Sequence, residues 1–131
     1  MILLDSDVII AHLRGHPAAR GWLEGVRVAG EVLALSAVSG TEILGGMHSD
    51  ERHQVRRLLD SFRCLPVSRE VGWRAGALRR RYRRSHSEIG TVYYLIAATA
   101  ELDDCELATL NVKHYPMFSH LRAPFDLTEG L

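Results

Sequence analysis

Four residues that follow apolar runs have side chains suited to metal binding or catalysis. Asp5 comes directly after the apolar run 2–4, and Asp7 follows two residues later. Glu42 follows SAVSGT after the apolar run 32–35, and Asn111 follows the run 107–110. Clustered oxygen ligands suit Mg²⁺ or Mn²⁺, which can activate water and stabilise an in-line phosphoryl displacement. The residue types therefore indicate a divalent-cation site, provided that the fold brings them together.

The elements that must position these residues alternate between short apolar runs and amphipathic stretches. Strands are predicted at 2–4, 32–35, 64–67 and 107–110, with a possible fifth at 125–127. Helices are predicted at about 7–14, after Pro17, at about 42–47, after Asp50, at 69–84 and at about 91–102. This order predicts an α/β fold with a mainly parallel sheet of four or five strands, flanked by helices. The carboxyl ends of such strands gather functional groups, which points to Asp5, Asp7, residues 36–42 and residues 109–111.

Two of the acids also have ordinary structural explanations. Asp7 could simply cap the first helix, and Glu42 stands where the first turn of a short helix is predicted, a place that favours acids. Asp5 is harder to explain as a turn residue, because burying a carboxylate at the mouth of a sheet costs free energy unless a positive group meets it. Taken together, Asp5 and Glu42 favour an acidic pocket over a purely structural dimerisation module.

Composition places the chain among globular single-domain proteins. Its 131 residues, 47% of them hydrophobic and 24% charged, predict one domain over 1–131. Cys64 and Cys105 form no CxxC pair, and we expect free, buried thiols in a reducing, cytoplasmic environment. No apolar run is long enough to span a membrane, and no signal peptide is expected.

Basic residues are concentrated in one stretch although the formal net charge is +0. The stretch surrounds Tyr82 and contains Arg79, Arg80, Arg81, Arg83 and Arg84. These arginines could contact RNA phosphates, contact a protein partner, or form a solvated helix face.

Four segments, in order, resemble the motifs of VapC-type PIN domains. MILLDSDVIIAHLRG resembles the first motif, SAVSGTEILGG the second, LIAATAEL the third and ATLNVKHYPMF the last. The resemblance implies a Mg²⁺- or Mn²⁺-dependent endoribonuclease, a hydrolase of RNA phosphodiesters. It also implies a cytoplasmic, usually dimeric toxin, silenced by a VapB-like antitoxin that inserts a peptide into the active-site groove.

The same resemblance assigns roles to individual residues. Asp5 is the first metal-binding carboxylate and Glu42 the second, with Ser6 and Asp7 in support of Asp5. Asn111 occupies the fourth position, where it would contact a metal-bound water or the substrate.

The third motif departs from the family pattern. An aspartate is expected three residues before Ile96, and Tyr93 stands there. A phenol is protonated at neutral pH and is a poor Mg²⁺ ligand, so we expect an attenuated or inactive nuclease. The alternative is a catalytically silent PIN domain that only binds antitoxin or RNA. Glu88 is the nearest acid that could substitute, and only if its loop folds inward.

Overall fold

A four-stranded parallel sheet forms the centre of the computed structural model, which describes residues 1–128. The strands are β1 (Ile2–Leu4), β2 (Leu33–Ser36), β3 (Arg63–Leu65) and β4 (Glu106–Ala108). Their spatial order is β3-β2-β1-β4, and every neighbouring pair is parallel. The predicted parallel sheet is therefore confirmed with four strands. The possible fifth strand at 125–127 is wrong, because this segment bends and turns without pairing.

Six helices connect and cover the strands. They are α1 (Ser6–Leu13), α2 (Pro17–Val28), α3 (Ala37–Gly46), α4 (Arg52–Asp60), α5 (Arg69–Tyr82) and α6 (Thr91–Leu102). Short 3₁₀ turns occupy Ser49–Glu51 and Val112–His114. Gly15 ends α1 with a φ of +79°, a left-handed conformation that glycine adopts without steric cost.

Each face of the sheet has its own hydrophobic core. On β1, Ile2 and Leu4 pack on one side with residues of α1 to α4, whereas Leu3 packs on the other side with residues of α5 and α6. This alternation follows from the two-residue period of a strand. Helices cover both faces of the sheet. We therefore expect a functional site at the polar groups that follow the carboxyl ends of the strands.

Both cysteines are free thiols, as the sequence predicts, but their expected burial is only partly correct. Cys105 is half-buried, whereas Cys64 is exposed. The pleat of β3 explains the difference, because Leu65 turns into the core and its neighbours turn outward.

Candidate active site

Asp5 is the centre of the site and is held by three hydrogen bonds. It caps α1, where the backbone N–H of Ser6 donates to its Oδ1 at 2.8 Å. Its Oδ2 accepts from the hydroxyls of Thr109 and Tyr115, each at 2.8 Å. The residue is only 2% exposed. Asp5 is thus a buried carboxylate whose orientation is fixed from both ends of the chain.

Asp7 lies beside Asp5 and does not cap the helix, so that structural explanation is wrong. The strand turns into α1 one residue earlier than expected, which makes Asp5 the cap. Asp7 Oδ2 instead accepts from the backbone N–H of Leu110 at 3.0 Å and from Thr109 Oγ1 at 3.4 Å, while its Oδ1 is buried without a hydrogen-bond partner. Burial, and then the charge of Asp5, raise the pKa of Asp7 from 3.8 to about 6. The pair is therefore an acidic cluster that lacks a compensating positive charge.

Glu42 joins this cluster through Ser6. The Ser6 hydroxyl donates to Glu42 Oε1 at 3.4 Å, so Ser6 bonds Asp5 with its backbone and Glu42 with its side chain. Burial and the charge of Asp5 raise the pKa of Glu42. Glu42 is not in a first helical turn as expected, because α3 begins at Ala37 behind a Ser36 cap. The helix dipole therefore does not explain an acid at position 42. Glu42 is distinguished instead by its proximity to Asp5.

Tyr93 stands in the first turn of α6 and faces the acids. Burial, and then the charges of Asp5, Glu42 and Asp7, raise the pKa of its phenol. Its ring packs against the ring of His114, with centroids 4.4 Å apart, and against that of Tyr115, with centroids 5.7 Å apart. An aromatic side chain therefore occupies the position at which the family pattern has an aspartate.

Neither Glu88, the substitute that the sequence suggests, nor Glu101 replaces this aspartate. Glu88 is exposed, so its loop does not fold inward. Glu101 is paired with Arg74, Nε to Oε2 at 2.6 Å, near the opposite end of α6.

Asn111 is half-buried at the start of the 3₁₀ turn that follows β4, and its side chain does not cap that turn. Its backbone N–H donates to Thr109 Oγ1 at 3.0 Å, which ties it to the residue that bonds Asp5. The expected role of its amide stays a prediction.

Three residues of the site received no individual role from the sequence. Thr109 and Tyr115 hold Asp5, and His114 packs on Tyr93 with its Nδ1 buried and unpartnered. The signal for Thr109 was its place at the end of the last strand. Tyr115 and His114 lie in ATLNVKHYPMF, but only the 3₁₀ turn brings them back over Asp5.

The basic stretch lies at the carboxyl-terminal end of α5 and just beyond it, and all five of its arginines are exposed. Arg79 lies close enough to Tyr94 for its positive charge to oppose the rise that burial causes in the pKa of the Tyr94 phenol. Arg74, farther from the carboxyl end of α5, pairs with Glu101. These contacts mean that α5 and α6 run antiparallel. The arginines are therefore at the same end of the hairpin as Tyr93.

The donor chemistry suits a hard divalent cation, because Asp5, Asp7 and Glu42 repel one another and Asp7 Oδ1 lacks a partner. Within residues 1–128, however, no three His, Cys, Asp or Glu side chains converge closely enough to hold an ion by themselves. The residues thus fit a cation, but with fewer protein ligands than a site in which position 93 is acidic.

Comparison with known proteins identifies the family of the chain. A family profile described as the PIN domain matches residues 2–116. The chain therefore belongs to the PIN-domain family.

Its relatives are VapC proteins. The chain is 58% identical to Ribonuclease VapC10 of Mycobacterium tuberculosis over 125 residues, which are 95% of this chain and 93% of the relative. It is 38% identical to Ribonuclease VapC19 of the same organism, over 95% of this chain and 100% of the relative. A toxin–antitoxin complex from Klebsiella pneumoniae matches with a TM-score of 0.76 at 26% identity, over 96% of this chain and 99% of that one.

In the described part of the chain, no helix is both long and apolar enough to cross a membrane.

Proposed function

We propose that this chain is the ribonuclease toxin of a VapBC-type pair, and that Tyr93 attenuates its cleavage of RNA. The observation that carries the proposal is the placement of the Tyr93 phenol among Asp5, Glu42 and Asp7. The acids, their shared support from Ser6 and Thr109, and the family membership together favour a nuclease over a structural module.

Asp5 and Glu42 are the residues that would hold Mg²⁺ or Mn²⁺, with Ser6 and Asp7 supporting Asp5. When bound, such a cation lowers the pKa of water and stabilises charge on a transferring phosphoryl group. Thr109 and Tyr115 orient Asp5 by donating to its Oδ2, and Ser6 sets the distance between Asp5 and Glu42. Asn111 offers an amide to the substrate beside these acids.

Tyr93 weakens this arrangement in two ways. It removes one negative charge from the cluster, and its ring fills space beside the carboxylates. Its contacts with His114 and Tyr115 hold the ring in place, so the phenol does not simply swing aside.

The partners follow from surfaces beside the site. Glu42 opens onto a groove of about 440 Å³ between α1, α3 and α4, whose walls include Ile10, Ile43, Met47 and Val55. A groove with apolar and charged walls next to the acids suits an inserted peptide of a VapB-like antitoxin. In this proposal the five arginines of the basic stretch bind RNA phosphates or the antitoxin. We also propose that the protein forms a homodimer and is located in the cytoplasm.

The decisive experiment compares RNA cleavage by the parent protein, Tyr93→Asp and Tyr93→Asn, in Mg²⁺ and in chelator. Both variants remove the ring, but only Tyr93→Asp restores the charge. We expect chelator-sensitive cleavage from Tyr93→Asp, at least about tenfold above the parent, and no comparable gain from Tyr93→Asn. Adding Asp5→Asn to Tyr93→Asp should abolish the gain.

Three other outcomes would revise the proposal. Equal gains from both variants would assign the effect to the ring alone. Equal, chelator-sensitive cleavage by the parent and Tyr93→Asp would mean that Asp5, Glu42 and Asn111 suffice. No cleavage by any folded variant on several RNAs would make the chain a binding module.

A further inference from the structure

A second polar cleft lies between α1, α2 and α4, outside the acidic site. Its volume is about 270 Å³. Its lining includes His12, Arg20, Arg27, Arg57 and Ser61. Three arginines therefore converge on one cleft, and none of its lining residues is acidic.

Two of the three arginines are held in place by neighbours other than acids. Arg27 donates to Ser61 Oγ at 2.8 Å, and its guanidinium lies 5.3 Å from the centre of the Phe62 ring. Arg20 donates through Nε to the backbone oxygen of His12 at 3.4 Å. Over residues 1–128, the only ion pairs are Arg56 with Asp60 and Arg74 with Glu101. Arg20 and Arg27 are thus oriented, and within residues 1–128 none of the three guanidiniums of the cleft belongs to an ion pair.

His12 adds a further polar side chain to the lining of the cleft. Its Nδ1 is buried and has no hydrogen-bond partner. Burial, and then the charges of Arg20 and Arg27, lower the pKa of the imidazole. The two guanidiniums beside this imidazole form a setting that suits an anion with several oxygens.

Helix dipoles account for only part of this positive charge. Arg27 and Arg57 lie in the last turns of α2 and α4, where cations are favoured. Each helix end supplies roughly half a negative charge, so the ends of α1, α2 and α4 together offset about half of the three arginines. An excess of roughly 1.5 charges remains, which is close to the charge of a phosphate monoester at neutral pH. A carboxylate would balance less of it and offers only two oxygens.

We propose that the cleft formed by Arg20, Arg27, Arg57 and His12 binds a phosphate group. The two sources with this chemistry are a free phosphate or phosphate ester and the phosphate backbone of RNA. The inference concerns binding alone and does not depend on whether the chain cleaves RNA.

The test measures binding of inorganic phosphate and pyrophosphate by calorimetry to the parent, Arg57→Gln and Arg56→Gln. The two arginines are adjacent on α4, but only Arg57 lines the cleft, so the variants are matched in charge. Removing one charge-assisted hydrogen bond should weaken binding of these probes about tenfold or more in Arg57→Gln and leave it nearly unchanged in Arg56→Gln. Arg57→Lys should recover part of the affinity.

A second arm separates the sources with single-stranded RNA at several salt concentrations. If the backbone is the source, Arg57→Gln reduces the slope of log affinity against log salt by about 0.7, and Arg56→Gln does not. If the free anion is the source, only the phosphate and pyrophosphate titrations change. The proposal is overturned if the parent binds neither probe at millimolar concentration or if the two variants lose equal affinity. It is also overturned if glutarate competes better than phosphate, which would indicate an acidic peptide.

Discussion

Removing the hydroxyl of Tyr115 tests how Asp5 is held. In Tyr115→Phe the buried Oδ2 of Asp5 loses one of its two donors and keeps only Thr109, while the shape of the ring is unchanged. A hydrogen bond to a charged group contributes about 1.5–3 kcal/mol, and water cannot replace the donor at a residue that is 2% exposed. We therefore expect a loss of about 2 kcal/mol in the free energy of unfolding.

Urea denaturation at pH 7 measures this loss directly, with thermal unfolding as a second readout. For a chain of 131 residues, about 2 kcal/mol corresponds to a fall of roughly 7 °C in Tm. Thr109→Val removes the other donor. Because Asp5 then keeps only the Ser6 backbone, the double variant should lose about 1 kcal/mol more than the sum of the single variants.

Tyr82→Phe is the control for the loss of a tyrosine hydroxyl. Tyr82 is half-buried at the end of α5, whereas Tyr115 is 1% exposed, and the Tyr82 ring contacts Arg81 and His86 rather than a buried carboxylate. Its substitution should cost less than about 0.5 kcal/mol. Equal losses in Tyr82→Phe and Tyr115→Phe would refute the inference that Tyr115 stabilises Asp5.

Three further predictions test the acidic cluster, the chain reversal after α1 and the basic stretch. The pKa of Asp7 is raised to about 6, so its ionised form destabilises the fold increasingly from about pH 4 to 6 and by a constant amount above. In chelator, Asp7→Asn should be more stable than the parent at pH 8 by about 1–2 kcal/mol, allowing for partial solvation, and equal gains at pH 4 and pH 8 would contradict this. Gly15→Ala should cost about 1 kcal/mol in urea because of its positive φ, whereas Gly21→Ala, inside α2 with open space around it, should not destabilise. Replacing Arg83 and Arg84 with Gln should lower the salt slope of RNA binding by about 0.7 for each phosphate that these arginines neutralise, and an unchanged slope would exclude them from the RNA interface.

The sequence predicted those elements whose signals are strong and local. The helix at 91–102 was predicted with its observed bounds, because a continuous apolar stretch lies between Gly90 and the acids 103–104. The start of α3 was misplaced because SAVSGT contains several residues that can cap a helix. Ser36 is the cap and accepts from the backbone of Val38, and Ser39 is buried inside the helix. Choosing among such caps depends on packing against β2, which sequence alone does not reveal.

The sequence predicted only the part of the candidate site that lies at the ends of the strands. Parallel strands bring Asp5 and residues 109–111 to one edge, and the sequence placed them there. The hydrogen bond from Tyr115 depends on a 3₁₀ turn after β4, and the contact of Glu42 with Ser6 depends on where α3 begins. Both are contacts between residues far apart in the chain, whose geometry is set by tertiary packing rather than by local pattern.

The bonds that hold Asp5 also determine when the site can exist during synthesis. Asp5 leaves the ribosome well before its partners Thr109 and Tyr115, which follow 104 and 110 residues later. At roughly 5–20 residues per second, the interval is on the order of ten seconds. Throughout it, β1 has no β4 beside it and the acids have no fixed orientation. A growing chain is therefore unable to assemble this site until Tyr115 has left the ribosome.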